Sequence, residues 1–397
     1  MGGHAFASDG LETPRIPTQL YDRLKKEYAA ALAPFYNETA YAEEIPGKPD
    51  HGDIDILVQG PHETTTPERV ASALSAKAFK NNGAVTNYAV PHPVTPDIYV
   101  QLDVQKIPPG LLPWQRFLAS YGDLSQILGV VHRPLGLTST DRGLHVRIPA
   151  IEPTNKKASM IHLSHDPSAV LNFLGLNPVP AAITSEADVF AWVATGRFFD
   201  RYAVVPRDGQ QRSENENHND RARRAKRGMY RRFVDDWVPA HPAAGAECAW
   251  SREGVLEEAL DAFGQRSVYE ERLAQHRELQ REEALWRAIK EIVPRKGDSL
   301  ALVIRGLKRW VSVDGGVLVL CEEPLPEGKR VWVKGLEDGG EEVMLRWVEE
   351  NWAAVREKEK TWTATKKAKA LPDLAAEGGG VMLSPDREER EVKRMRS

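Results

Sequence analysis

The sequence contains few cysteines and has no long apolar run. Its 397 residues include 2 cysteines, Cys248 and Cys321, which lie far apart and form no metal-ligand spacing. This usage is typical of a reducing compartment rather than of a secreted disulfide framework. No apolar stretch is long enough to cross a bilayer, and the N-terminus lacks the charged-then-apolar pattern of a signal peptide. We therefore expect a soluble intracellular protein, cytoplasmic or nuclear, with no membrane partner.

The sequence also lacks an excess of charge of one sign. Its formal net charge is -4, so the overall charge predicts attraction to neither nucleic acid nor membrane, and any site for a polyanion must be local. The hydrophobic content of 41% indicates a folded chain. The length is sufficient for two or three domains, each with its own core.

Two aspartates stand two residues apart inside an apolar, β-branched segment, residues 51–58. Because side chains alternate along a strand, Asp53, Asp55 and Leu57 share one face. Neighbouring acids on one face repel each other, which is a cost that a purely structural strand has no reason to carry. Hard divalent cations prefer such oxygen ligands and would relieve the repulsion. The alternative is a strand end whose acids face solvent.

A third aspartate lies on another predicted strand, residues 99–104, where Gln101 and Asp103 share the face opposite the apolar residues. An acid on a neighbouring strand, aligned with Asp53 and Asp55, would complete a cage for a pair of Mg²⁺ or Mn²⁺ ions. Such a pair activates an attacking hydroxyl and stabilises a leaving pyrophosphate. Nucleotidyl transfer requires both effects.

These segments resemble the polymerase-β-like nucleotidyltransferase superfamily. Its pattern is a Gly-Gly or Gly-Ser turn, a strand with two aspartates between apolar residues, and a later strand with one aspartate. The matching segments here are Gly2-Gly3, Asp53-Ile54-Asp55 and Leu102-Asp103-Val104. The resemblance implies an α/β (α+β) catalytic domain that uses an NTP and Mg²⁺ or Mn²⁺.

The resemblance also implies a role for each matched residue. Asp53 and Asp55 would bind both metals, and Asp103 would bind the metal that lowers the pKa of the acceptor hydroxyl. The glycine turn would hold the triphosphate, because without a Cβ the backbone N–H groups can point at phosphate oxygens. The implied phosphate-binding residues in these segments are Gly2, Gly3, His4 and Gly52.

Residues 117–147 resemble a branch of this superfamily known mostly as uncharacterised phage, bacterial and fungal proteins. In that branch a glycine-bearing helix and a glycine-leucine hairpin follow the third acid. The residues themselves predict an apolar helix and then a two-stranded ribbon that turns at 141–143. Three residues of this region are candidate nucleotide contacts: Tyr121, Asp123 and Arg133. The alternative is that they are ordinary surface and capping residues.

The densest positive stretch runs from residue 221 to 232, and Tyr230 and Phe233 add aromatic rings. Cations combined with stacking rings are how proteins hold single-stranded nucleic acids. The candidate nucleic-acid contacts are Arg221, Arg223, Arg224, Lys226, Arg227 and Arg231. The alternative is a solvated face that pairs with the acid-rich helices after it.

We predict four segments in the chain: a catalytic domain at 1–110, a helical and hairpin extension at 111–205 that completes the nucleotide cleft, a mainly helical C-terminal domain at 206–355, and a disordered charged tail at 356–397. The predicted reaction transfers a nucleoside monophosphate from an NTP to a hydroxyl, with an RNA or DNA 3′ end as acceptor and RNA preferred. One alternative is nucleotidylation, such as AMP transfer, of a protein or small molecule. Another is a non-catalytic module that binds nucleotide or nucleic acid.

Overall fold

The computed structural model describes residues 3–45, 47–177, 179–180, 183–205, 218–244, 250–314, 317–326, 332 and 340–370. The chain divides into two compact units, residues 1–273 and 274–397. Within the described ranges, no helix is both long enough and apolar enough to span a membrane.

Strands and helices alternate in the first two fifths of the chain, and helices dominate the remainder. In chain order the strands are Ile16–Pro17 (β1), Tyr36–Ala40 (β2), Asp50–His51 (β3), Ile54–Pro61 (β4), Ala78–Asn82 (β5), Val85–Pro91 (β6), Tyr99–Ile107 (β7), Leu137–Thr140 (β8), Gly143–Arg147 (β9), Met160–Ser164 (β10), Val311–Asp314 (β11) and Val317–Leu320 (β12). The α-helices are Thr18–Leu32 (α1), Pro67–Ala73 (α2), Leu112–Ala119 (α3), Leu124–His132 (α4), Pro167–Leu174 (α5), Glu186–Ala194 (α6), Arg201–Val204 (α7), His218–Lys226 (α8), Gly228–Arg231 (α9), Val238–Ala240 (α10), Arg252–Ala262 (α11), Arg266–Ile292 (α12), Gly297–Trp310 (α13) and Glu341–Ala370 (α14). Shorter helical turns are Ala7–Asp9, Arg133–Leu135 and the π-helical segment Arg232–Trp237.

A five-stranded sheet in the order β2-β4-β7-β6-β5 forms the centre of the N-terminal part of the first unit. Strands β4 and β7 pair in parallel, and the other neighbours pair antiparallel. Apolar residues of alternate positions, such as Ile54 and Leu102, face α1 and α2 and are fully buried with them. The opposite face of β4 and β7 carries Asp55 and Asp103. Alternation in the sequence therefore separates a packed face from a polar face.

The segment after α2 forms a strand rather than further helical turns. The helix ends at Ala73, and Ala78–Asn82 forms β5, which pairs antiparallel with β6. Ser75 has a positive φ of 52° just after the helix. The edge pairing with β6 is a tertiary interaction, so it overrides the local helical pattern.

A second hydrophobic core of the first unit joins the three-stranded sheet β10-β9-β8 to the helices around it. Its members extend from Trp114 through Phe190 to Phe233 and Leu260. The core thus continues through the predicted boundary at residue 205, because apolar residues of α9, the π-helical segment and α11 pack into it.

The second unit is organised around α13 and α14, with the hairpin β11–β12 beside them. The two helices approach closely at Gly306, where a Cβ would lie 2.7 Å from a methyl carbon of Val355. Glu359 of α14 is 1% exposed and accepts hydrogen bonds from Arg309 (2.6 and 2.8 Å) and from the indole N–H of Trp310 (3.0 Å).

The tail predicted to be disordered from residue 356 is helical up to Ala370, so this part of the prediction is wrong. Val355 and Glu359 are buried against α13, and this packing stabilises the helix beyond residue 355. Residues 371–397 lie outside the described part of the chain.

Candidate functional site

The three predicted acids lie next to one another on the polar face of the sheet. Asp55 is the second residue of β4 and stands directly opposite Asp103 of β7 in the parallel register. Asp53 ends the turn between β3 and β4, two residues before Asp55. From the sequence we expect Asp103 on a strand next to that of Asp55, and the parallel register places the two strand acids side by side.

The three carboxylates place negative charge close together on one face of the sheet. Burial, followed by the charges of Asp53 and Asp103, raises the pKa of Asp55 to about 7. Burial and the Asp103 charge raise the pKa of Asp53, and burial raises that of Asp103. Asp55 keeps contact with water on the sheet surface while protein atoms surround it on the other sides. A bound cation would relieve this repulsion and favour the ionised carboxylates.

Two amide side chains hold Asp103 in place. The Asn87 side-chain N–H donates to Asp103 Oδ1 (2.6 Å), and the Gln101 side-chain N–H donates to Oδ1 (3.0 Å) and Oδ2 (3.2 Å). Gln101 Oε1 in turn accepts the backbone N–H of Ala5 (2.9 Å), which fixes the direction of its amide. The alternation of β7 places Gln101 beside Asp103, whereas Asn87 is revealed only by the pairing of β6 with β7.

The N-terminal segment reaches the acid group at Gly3. This residue has a φ of 79°, and a Cβ on it would lie 2.5 Å from the Gly52 carbonyl oxygen. Glycine therefore permits the close approach of the segment to the turn that precedes Asp53. The Gly3 carbonyl accepts the Thr13 hydroxyl, and His4 is exposed. Gly2 lies outside the described residues.

Lys80 of β5 fastens the same segment to the sheet. Its ammonium group donates to the Ala5 carbonyl (2.7 Å), pairs with Asp9 (2.7 Å) and lies over the Phe6 ring. Ala5 is thus held on both sides, through its carbonyl by Lys80 and through its N–H by Gln101.

The turn before Asp53 is supported by a buried histidine. The His51 ring is 2% exposed and stacks on Tyr21 at a centroid distance of 3.6 Å. Burial lowers the pKa of His51 to about 4, so the ring is neutral at pH 7. The Tyr21 hydroxyl donates to Glu44 (3.0 Å), which connects this support to the segment at residues 43–49.

A cleft of about 1000 Å³ lies beside this segment in the first unit. Its wall is formed by residues from 44–49, from the start of α4, from the start of α6 and from α8 and α9. Its cations are Lys48, Lys226, Arg227 and Arg232, and its acids are Glu44, Asp123 and Glu186. The Lys48 charge lowers the pKa of both Asp53 and Asp55, in opposition to the larger effects of burial. The charge of one residue in the cleft lining thus acts on two of the three acids.

The three candidate nucleotide contacts after the catalytic strands have different surroundings. Asp123 lines the cleft, where it accepts the Tyr230 backbone N–H (3.2 Å) and faces Arg227 at 3.4 Å. Tyr121 adopts a φ of 57° and donates its backbone N–H to Glu43 (2.7 Å). Arg133 pairs with Asp220 at 2.6 Å and lines a separate cavity of about 260 Å³. Of these three residues, Asp123 lines the cleft, whereas Tyr121 and Arg133 are not part of its lining.

The basic stretch 221–232 is partly neutralised by acids of the same unit. Arg223 pairs with Asp220 (2.7 Å), Arg224 faces Asp235 (3.5 Å) and Arg227 faces Asp123 (3.4 Å). Lys226 and Arg227 line the cleft, while Arg221 and Arg231 are exposed outside its lining. Some cations of this stretch thus line the cleft, and some form ion pairs with acids of the same unit.

The aromatic rings of this stretch are not available for stacking on bases. Tyr230 is 1% exposed and Phe233 is 0% exposed, because both rings point into the second core of the first unit. The prediction that these two rings contact a nucleic acid strand is therefore wrong.

The three aspartates supply the hard oxygen donors that Mg²⁺ and Mn²⁺ prefer. Their raised pKa values fit a site whose negative charge a bound cation would neutralise. Among the residues with described positions, no three His, Cys, Asp or Glu side chains already form a metal-binding group. The Asp103 carboxylate is directed instead toward the amides of Asn87 and Gln101.

No protein-family model and no curated protein matches the sequence. Solved structures similar to it include two of Leishmania infantum polymerase beta, a ternary P/T complex and a ternary gap complex. Their TM-scores are 0.32 and 0.31, and each is 13% identical over 43% of this chain and over 75% and 69% of the polymerase chains. A likeness at this level concerns the mixed α/β fold at most and carries no conclusion about substrate or partner.

Proposed function

We propose that this protein is a metal-dependent nucleotidyltransferase that moves a nucleoside monophosphate from an NTP to a hydroxyl and releases pyrophosphate. The observation that carries the proposal is the parallel register of Asp55 with Asp103, with Asp53 two residues upstream. Burial together with neighbouring acids raises the pKa of Asp53 and Asp55, so this grouping of carboxylates is a cost without a cation and an advantage with one.

Asp53, Asp55 and Asp103 would hold the divalent ions. Two such ions lower the pKa of the attacking hydroxyl and neutralise charge on the leaving pyrophosphate. The amides of Asn87 and Gln101 keep the Asp103 carboxylate oriented. Positioning of this kind matters because phosphoryl-group transfer depends mainly on alignment and electrostatics.

The cations of the cleft would hold the triphosphate. Lys48, Lys226, Arg227 and Arg232 line this cleft. Lys48 pairs with Glu44 (3.1 Å), Arg227 faces Asp123 (3.4 Å) and Arg232 pairs with Glu186 (2.6 Å), so a triphosphate would replace these carboxylates as their partner. Each cation can donate charge-assisted hydrogen bonds to phosphate oxygens. The contact between Gly3 and Gly52 leaves backbone close to Asp53 without an intervening side chain, which suits phosphate approach.

For the acceptor we propose a nucleic-acid 3′ hydroxyl, with RNA as the first choice. Because Tyr230 and Phe233 are buried, the support for this acceptor comes from cations alone: those that line the cleft and, outside its lining, the exposed Arg221 and Arg231. A protein or small-molecule acceptor is the competing outcome of the test.

The test incubates the full chain with α-labelled NTPs, Mg²⁺ or Mn²⁺, and either RNA, DNA or a whole-cell extract. Wild type should transfer label only with the metal, and Asp103→Asn should abolish transfer. Asp141→Asn removes an exposed acid from the β8–β9 turn and serves as the matched control. Label that resists nucleases and is released by protease would replace RNA by protein as acceptor. Absence of both metal-dependent transfer and metal-dependent NTP binding in wild type would end the proposal.

A further inference from the structure

The second unit contains a cavity of about 910 Å³ where the turn between α12 and α13 faces α14. Its lining carries four cations, Lys290, Arg295, Lys296 and Arg356, and one acid, Glu291. We propose that this cavity binds the phosphodiester backbone of a single-stranded nucleic acid. The inference concerns binding alone and does not depend on the chemistry proposed at the three aspartates.

Three of the four cations at this cavity have no acidic partner among the described residues. Lys290, Arg295 and Lys296 are exposed, and within the part of the chain that the structure describes none of them forms an ion pair. Arg356 donates to the Ser299 hydroxyl (3.0 Å) and pairs with Glu357. Four cations facing one cavity repel one another, and an anion that enters it removes this cost.

In the basic stretch 221–232, by contrast, several cations are paired with acids. There, Arg223 pairs with Asp220 and Arg224 faces Asp235 within the same unit. A cation already paired with an acid has less to gain from a phosphate, because the existing partner must be released. The lysines at this cavity have no such competitor.

An aromatic ring lies beside the cations. The Arg295 guanidinium lies over the Trp352 ring, 5.0 Å from its centroid, and Trp352 is half-buried. Guanidinium planes and indole rings are the surfaces on which unpaired bases stack.

The size of the cavity favours a nucleotide chain over a single small anion. A volume of about 910 Å³ is at the upper end of the range for sites that enclose a small organic ligand. An acidic peptide could satisfy the cations, but it would leave the Arg295–Trp352 pair without a stacking partner. The observations therefore favour a strand that offers phosphates and bases together.

The experiment measures anisotropy of a short fluorescein-labelled oligouridylate with the full chain over a salt series. NTP and divalent metal are left out, so the result is independent of the acid site. The test variant is Lys290→Gln with Arg295→Gln and Lys296→Gln. The control removes the same number of charges from exposed positions of α12 outside the cavity lining: Arg277→Gln, Arg281→Gln and Arg287→Gln.

Wild type should bind, and the test variant should lose at least about tenfold in affinity at moderate salt. Its log–log salt slope should become shallower by about 2, since each lost phosphate contact on a single strand accounts for about 0.7. Trp352→Leu should weaken binding by at least about fivefold with an unchanged slope, and Trp352→Phe should restore most of it. Lys296→Gln alone should reduce the slope by about 0.7, which gives a readout if the triple variant misfolds.

Three results would overturn the proposal. One is a wild-type chain that does not bind the oligonucleotide. Another is an equal loss of affinity in the test and control variants, which would indicate general charge attraction. The third is displacement of the oligonucleotide by a polyglutamate peptide of equal charge at equal concentration, which would identify an acidic protein segment as the ligand.

Discussion

Replacement of Asp55 by asparagine should stabilise the first unit at neutral and alkaline pH and leave it unchanged in acid. Asparagine has nearly the same shape as aspartate but carries no charge. In the folded protein, burial and the neighbouring acids raise the pKa of Asp55 from 3.8 to about 7. The folded state thus binds the Asp55 proton more tightly than the unfolded state does. The free energy of unfolding must therefore fall as pH rises from about 4 to about 7, and then stay level.

The size of the effect follows from that change in pKa. At about 1.4 kcal/mol for each pKa step, the ceiling is roughly 4 kcal/mol. Asp55 keeps contact with water, which screens its interactions with Asp53 and Asp103, so we expect about 1–2 kcal/mol at about pH 8. At about pH 4 or below both forms are neutral and the difference should vanish.

Hydrogen exchange of peptides from β4 and β7 gives the free energy of unfolding of this unit specifically. The measurement is made at two pH values with a chelator present, because a bound divalent ion would reverse the sign of the charge effect. Asp141→Asn, at an exposed turn, should give no pH-dependent change. An Asp55→Asn variant that is less stable than wild type at about pH 8, or equally stabilised at both pH values, would refute this explanation.

Other expected outcomes concern positioning, phosphate binding and packing. Gln101→Leu removes the amide that donates to Asp103 and should weaken Mn²⁺ binding by about tenfold or more in calorimetric titration, with the fold unchanged by circular dichroism. Lys226→Gln in the cleft should weaken metal-dependent NTP binding by about tenfold. Arg221→Gln, which lies outside the cleft lining, should leave this binding unchanged. Equal losses in the two variants would argue against the cleft as the NTP-binding site. Glu359→Ala removes the acceptor of the Arg309 guanidinium and of the Trp310 indole N–H. The free energy of unfolding of the second unit, measured in urea, should fall by about 3 kcal/mol, which is more than the loss of a surface ion pair would cause.

The candidate acid group could be predicted from the sequence because strand alternation is a local property. Asp53 and Asp55 sit two apart among β-branched residues, and Asp103 lies in a second alternating strand. Their relative register was beyond local reasoning, since it depends on β4 and β7 pairing in parallel. Asn87 was missed for the same reason, because only the β6–β7 pairing brings it to Asp103.

The incorrect predictions come from places where packing outweighs composition. Tyr230 and Phe233 stand in a run of arginines, yet with Met229 and Val234 they recur at the spacing of one helix face. That spacing was the signal for burial, and all four side chains are in the core. The dense cations around them suggested a nucleic-acid surface, but charges can surround a helix whose apolar face is packed.

The anchoring of Ala5 between Lys80 and Gln101 has a practical consequence for work on this protein. Ala5 and Gln101 are far apart in sequence, yet the hydrogen bond between them sets the orientation of the amide that supports Asp103. Any residue other than glycine at position 3 would place its Cβ 2.5 Å from the Gly52 carbonyl oxygen, in the turn that precedes Asp53. Protein for study should therefore keep residues 3–10 intact. A protease cut there would release Ala5 from Lys80 and Gln101 and so disturb the support of Asp103, while all three carboxylates remain in the chain.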